Sequence, residues 1–140
     1  MSWASILWGD KSSRSGADTG AKRGSNFSSR KGLLSGTSAV LNLEGGFMPR
    51  SDWSKGRLVN ARFARTNLTK ANLTEAILRD ADLRLAILRE ADLRGADLSG
   101  AKLGGADLRG ADLTGALNLT KAQIDSAIID ETTKLPADLA

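Results

Sequence analysis

A large apolar residue falls at every fifth position through the middle of this chain: Trp53, Leu58, Phe63, Leu68, Leu73, Leu78, Leu83, Leu88, Leu93, Leu98, Leu103, Leu108 and Leu113. No regular element run straight buries such a series on one side. On an α-helix each step of five advances about 500°, so the leucines wander round every face. On a straight strand five steps reverse the side chain, so alternate leucines point to opposite faces. A corner after each short extended segment resolves both problems. Ala stands two residues before most of these positions, as at Ala71, Ala81, Ala91, Ala101 and Ala111. Ala and Leu then point inward together, the corner resets the phase, and the chain coils around its own core. The pattern slips once, around Leu117, and resumes with Leu119, Ile124 and Ile129.

The remaining slots agree with this reading. The residue before each Leu is usually Asp or Asn, and the one after it is Thr, Ser or Arg. The corner slot becomes Gly at Gly95, Gly100, Gly105, Gly110 and Gly115, where freedom in φ is useful. Each buried Leu contributes about 1.5–3 kcal/mol, and coils stack about 4.8 Å apart through backbone hydrogen bonds. A long amphipathic helix through Ala71–Arg94 is the competing reading, since Ala, Leu, Arg and Glu favour helix. Glycine at every fifth position beyond it costs a helix about 1 kcal/mol each. The coil is the better account.

The tandem motif A-(D/N)-L-x-x, as in ANLTE, ADLRG and ADLSG, runs in frame without a gap from Ala61 to Gly115. It resembles the pentapeptide-repeat family. The resemblance implies an all-β solenoid, a right-handed quadrilateral parallel β-helix with four repeats per coil. Over residues 51–129 that gives about four coils, about 20 Å tall at sheet spacing. The expected core is Phe63, Leu68, Leu73, Leu78, Leu83, Leu88, Leu93, Leu98, Leu103, Leu108, Leu113, Leu119 and Ile124. The resemblance also implies a bacterial source, with cyanobacteria richest in such proteins, and an accessory or linker subunit of a larger assembly.

A stacked coil leaves apolar cross-sections at both ends, which need caps. Residues 39–50 are expected as an N-terminal cap or lead-in, with Ala39–Leu43 and Phe47 over the first coil or paired as an extra strand. Residues 130–140 are expected as the C-terminal cap, with Leu135 and Leu139 over the last coil; Pro136 cannot continue a ladder. Residues 1–38 read as a flexible basic tail rich in Gly and Ser. Lys11, Arg14, Lys22, Arg23, Arg30 and Lys31 stand there against Asp10 and Asp18, whereas acids and bases balance from Ser51 onward. The net charge of +4 therefore belongs to the tail, not to the coil. At its tip, Trp3, Ile6, Leu7 and Trp8 are either a frayed terminus or an anchor that enters a partner's groove, where Trp is favoured. No stretch approaches the roughly 20 apolar residues of a membrane span. The Trp3–Trp8 run is too short for a signal sequence, so a cytoplasmic protein is expected.

Catalysis is not expected. The chain has no Cys and no His, which removes thiolate and imidazole metal ligands and the commonest general base. Asp82, Asp92, Asp97, Asp107 and Asp112 lie on a convex, wet surface with no concave pocket to desolvate them. No catalytic, cofactor-binding or metal-binding residue is therefore assigned. Arg84, Arg94 and Arg109 follow two residues after acids, so each side interleaves opposite charges, and such solvated pairs add about 0–1 kcal/mol. A nucleic-acid surface would want unpaired cations with aromatic stacking, which the coil lacks. Some members of the resembled family mimic duplex DNA and bind DNA gyrase; that activity rests on an acidic rod, and this rod is charge-balanced. Ile77, Leu85 and Ile87 break the outward polar pattern. Leu85 and Ile87 flank Ala86 at one corner, as a partner contact or as local packing. The expected function is a non-catalytic protein–protein interaction or scaffold module with a partner-engaging tail. The alternatives are gyrase mimicry and tail-mediated binding of nucleic acid or an anionic membrane surface.

Overall fold

Every five-residue repeat must place five backbone N–H donors, and four of them find backbone carbonyls. In the repeat Ala71–Glu75, Ala71 N donates across the corner to Leu68 O at 3.0 Å, and Asn72 N donates to Ser51 O of the preceding coil at 2.8 Å. Leu73 N and Glu75 N donate to the following coil, at Asp92 O (2.7 Å) and Arg94 O (2.9 Å). The same scheme recurs down the chain in this computed structural model, which describes residues 40–140. The rungs are parallel and join residues twenty apart: Asn72 pairs with Asp52 and Asp92, and Ile87 pairs with Asn67 and Asp107. Four repeats lie between such partners, so each side of the coil adds one bridging residue and then turns.

The corner is a turn in which the Leu carbonyl accepts the N–H of the next Ala. Its third residue carries positive φ, the mark of a type II turn: Glu75 has φ 58°, Leu85 61° and Glu90 57°. An L-residue held there costs about 1–2 kcal/mol, so glycine suits the slot. The glycines also answer a second demand. A Cβ on Gly105 (φ +71°) would lie 2.7 Å from Leu85 Cδ2, and one on Gly110 would lie 3.0 Å from Glu90 Cγ. Long corner side chains lean over the next coil, and glycine leaves them room.

The axis is filled by the five-spaced residues. Trp53, Phe63, Leu68, Leu73, Leu78, Leu83, Leu88 and Leu113 are fully buried, with the Ala of each repeat beside them. Trp53 and Phe63 meet edge to face, with centroids 5.4 Å apart and planes at 80°. Ser51 replaces Ala in this part of the coil because a buried indole needs an acceptor. Its Oγ receives Trp53 Nε1–H at 2.6 Å and donates to Met48 O at 2.7 Å.

Of the two arrangements expected for the N-terminal end, the structure takes the paired one: Asn42 pairs with Arg62 and Phe47 with Asn67, so the chain is ladder from Asn42 onward. The C-terminal end departs from the sequence reading. Leu117 pairs with Asp97, and Asn118 then takes φ 59°. The chain leaves the coil there for a helix, α1 (Lys121–Ser126). Leu119 and Ile124 are buried as expected. Ile124, however, reaches the core from α1, and Ile129 is 36 % exposed instead of lying on the axis. The physical reason is a capping box: Thr120 Oγ1 accepts Gln123 N–H, and Gln123 Oε1 accepts Thr120 N–H at 2.7 Å. Gln123 Nε2 then donates to Leu98 O (2.9 Å) and Ala101 O (2.8 Å), carbonyls at the end of the coil. Beyond α1, Ile128 pairs with Asp107 and Lys134 with Asp112, and Pro136 is buried while Leu135 and Leu139 are half-buried.

Gly105→Ala destabilises the fold by about 1–3 kcal/mol in urea unfolding, from strain at positive φ together with the clash on Leu85. Adding Leu85→Ala recovers the steric share and leaves the backbone share, so the two changes are non-additive. Additive losses would show that Leu85 does not lean on that corner.

Candidate interaction surface

The fifth N–H of each repeat belongs to the residue after Leu, and no neighbouring coil reaches it. Where the slot two residues earlier holds Asp or Asn, that side chain does. Asn67 Oδ1 accepts Thr69 N–H (3.0 Å), Asp82 Oδ1 accepts Arg84 N–H (3.1 Å), and Asp112 Oδ1 accepts Thr114 N–H (3.0 Å). Asp52, Asn72, Asp92, Asp97 and Asp107 do the same for Ser54, Thr74, Arg94, Ser99 and Arg109. This is why Asp and Asn fill a slot that the sequence reading treated only as outward and polar. The side chain closes an Asx turn, and Asp or Asn two residues before Thr, Ser or Arg is its signature.

The carboxylates are further occupied by arginine. Asp82 receives Arg84 Nε (2.8 Å) and Nη2 (2.6 Å), and Asp92–Arg94 and Asp107–Arg109 repeat the bidentate geometry. Hydrogen bonding by Arg84 holds the Asp82 carboxyl at about 2, below its ordinary 3.8. Asp92, Asp107 and Asp97 are lowered by Arg94, Arg109 and Arg79, and Asp112 by Thr114. Asp97 is the buried member, holding Arg79 Nε at 2.7 Å and Asn118 Nδ2 at 3.2 Å. These groups serve the fold and its corners. Among the described residues no cluster of three or more acids, His or Cys is arranged to hold a metal ion.

A carboxyl held below its unfolded value adds stability above that value, and the contribution is lost as pH falls through the folded one. For Asp82 that window runs from 3.8 down to about 2. Carboxyl-carbon NMR should place the Asp82 midpoint near the lower limit, and Arg84→Ala should move it upward toward the ordinary value. An unmoved midpoint would separate the shift from the arginine.

What stands outside this charged lattice is apolar. Phe47, Asn67, Ile87, Asp107 and Ile128 form one column of paired rungs, and within it Phe47 is 75 % exposed, Ile128 47 % and Ile87 37 %. Leu85, 51 % exposed, occupies the adjoining corner. Of the residues singled out from sequence, Leu85 and Ile87 thus flank one corner. Ile77 does not join them: it pairs with Arg57 and Asp97 in a separate column with Leu117, two sides away. Trp3, Ile6, Leu7 and Trp8 lie outside the described residues. Phe47 is not marked as a surface residue by sequence alone, because it precedes the clear repeat and reads equally as part of a cap, although it stands five residues before Asp52 in the same slot. Pro49 has no N–H to satisfy, so slot 47 is released from the Asx role. Ile87 offers Arg89 N–H no acceptor at all, so it occupies its slot at a cost to the corner.

Ile87→Asp should therefore leave the fold as stable or raise it by about 0.5–1 kcal/mol, by supplying the missing acceptor. Thermal and urea unfolding measure this, and a loss above about 1 kcal/mol would mean that Ile87 serves packing rather than a surface.

A parallel coil of five-residue segments with paired rungs and an axial leucine core defines the class as a repeat solenoid. The chain belongs to the pentapeptide-repeat family: the model for pentapeptide repeats, 8 copies, matches residues 57–95 and 91–129. Proteins of this family are generally structural or interaction modules. Among solved structures, the chain is similar to the pentapeptide repeat protein Rfr23 from the cyanobacterium Cyanothece 51142, with 28 % identity and a TM-score of 0.61, covering 74 % of this chain and 69 % of that one. A pentapeptide repeat protein of the Arabidopsis thaliana thylakoid lumen matches at 32 % identity and TM-score 0.31, covering 65 % of this chain and 62 % of that one. A further pentapeptide repeat protein, from Nostoc PCC 7120, matches at 31 % identity and TM-score 0.29, covering 69 % of this chain and 77 % of that one. No curated protein matches the sequence. Among the described residues no helix is long and apolar enough to cross a membrane.

Proposed function

We propose that this chain is a non-catalytic protein–protein interaction module, a right-handed quadrilateral β-helix of about four coils whose Phe47–Ile87–Ile128 side docks a protein partner. The observation that carries this is the exposed Phe47, 75 % open to solvent. It is the one aromatic among the described residues in a slot that elsewhere holds mostly Asp, Asn, Arg or Lys, with Ile77, Ile87, Leu117 and Ile128 as the other apolar members. A large aromatic left in water costs the free protein and repays it only at a contact. The repeated corner supports the same reading, because a rod of stacked turns holds its side chains in a fixed array before binding, which lowers the ordering cost of association. Within this reading the tail, residues 1–38, is a second engaging element through Trp3, Ile6, Leu7 and Trp8. The chain then acts as an accessory or linker subunit of a cytoplasmic bacterial assembly. The balanced charges from Ser51 onward argue against mimicry of duplex DNA, which needs an acidic rod.

A photo-reactive residue placed at position 47 or 87 of the intact chain should cross-link one and the same protein from the native lysate. The same group at position 74, on another side, should not. Cross-linking from the tail alone would move the function to residues 1–38. Potent inhibition of gyrase supercoiling by the purified chain would replace the proposal with DNA mimicry.

A further inference from the structure

The spacing and surroundings of the apolar column specify the kind of segment that fits it. We infer that the Phe47–Ile87–Ile128 side takes an acidic amphipathic α-helix lying along the coil axis; this rests on the interaction-module reading above. Apolar residues occupy alternate rungs, with Asn67 and Asp107 between them. At about 4.8 Å per coil, successive apolar anchors stand about 10 Å apart along the axis. Seven residues of α-helix rise about 10.5 Å and return a side chain to nearly the same face. An extended segment covers that distance in about three residues, an odd number, and so turns its second anchor away. The spacing therefore selects a helix with apolar residues one heptad apart.

Charge selects its sign. The column is bordered by Arg50, Arg65, Lys70, Arg84, Arg89 and Arg109 against Glu44, Glu90, Asp130 and its own Asp107. Arg65 is paired with Glu44, Lys70 with Glu90 and Arg84 with Asp82, and Asp130 lies near Arg109. Asp107 is engaged bidentately by Arg109, at 2.9 and 2.7 Å. Arg50 and Arg89 have no ion-pair partner among the described residues. Acidic residues flanking a heptad stripe meet this border favourably, whereas a basic segment meets like charge. The chain's own tail is of the second kind, with Lys11, Arg14, Lys22, Arg23, Arg30 and Lys31 against Asp10 and Asp18. It is the wrong occupant by sign.

A displayed library of fully randomised helical peptides, selected on the intact chain and counter-selected on Phe47→Asp/Ile87→Asp, tests the inference. Both substitutions restore a residue that other repeats carry in that slot, so the counter-bait keeps its fold, which urea unfolding verifies. Enriched peptides should be net acidic, with apolar residues seven apart. Their affinity should fall at least about tenfold on either substitution and weaken with rising salt. Enrichment of basic or unspaced peptides that still need Phe47 and Ile87 would overturn the helix while leaving the docking side in place. Peptides indifferent to both substitutions, or none above background, would remove the docking side itself. Sedimentation with phosphatidylserine vesicles, or self-association, each lost on Phe47→Asp, would overturn the inference in favour of a membrane or a second copy.

Discussion

The hydrogen bond from one coil to the next ties every backbone position to a partner four repeats away. Leu73 N reaches Asp92 O and Asp92 N returns to Ala71 O, and no bond of this kind closes within a repeat. The coil is therefore held by long, regular steps in sequence, and its side chains line up in columns whether or not they interact. A leucine column fills the axis, an alanine column lets the walls approach, and the corner column accepts positive φ as the condition for turning. Strain at residues such as Glu75, Leu85 and Glu90 is tolerated because each corner is fixed by rungs on both sides.

The same accounting explains the outward face. With four of five N–H groups committed to backbone carbonyls, the remaining one needs a side-chain acceptor two residues earlier, and Asp or Asn is the shortest side chain that supplies it. Arginine then neutralises the carboxylate at Asp82, Asp92 and Asp107, which keeps stacked acids from repelling one another. Surface charge in this protein is largely a by-product of closing corners. Residues that decline the role are the informative ones. Phe47 is released from it by Pro49 and Ile87 abandons it within one column, whereas Ile77 abandons it in a separate one.

Ends set a different problem, since a solenoid stops with unpaired edges. The C-terminal solution is a helix in place of another side, tied by Gln123 to Leu98 O and Ala101 O. The helix is folded locally by its own capping box, T-K-A-Q, which is a recognisable start signal in the sequence. The apolar period masks that signal, because Ile124 and Ile129 continue the five-residue spacing by coincidence. Local hydrogen bonding prevailed over the apolar period once Asn118 had broken the frame.

By itself the sequence determined that the chain bends every fifth residue, that Leu78, Leu88 and their equivalents share an axis, and that Gly suits the later corners. Those follow from local geometry, because only a repeated corner turns a five-residue period to one side. Which outward residues share a side was decided by the tertiary structure. Phe47, Ile87 and Ile128 are far apart in the chain, and their column depends on the offset between coils, which is twenty residues until the slip near Asn118 moves the last rung, Asp107 to Ile128. That offset is set by backbone bonds between coils, and backbone bonds carry no side-chain signature.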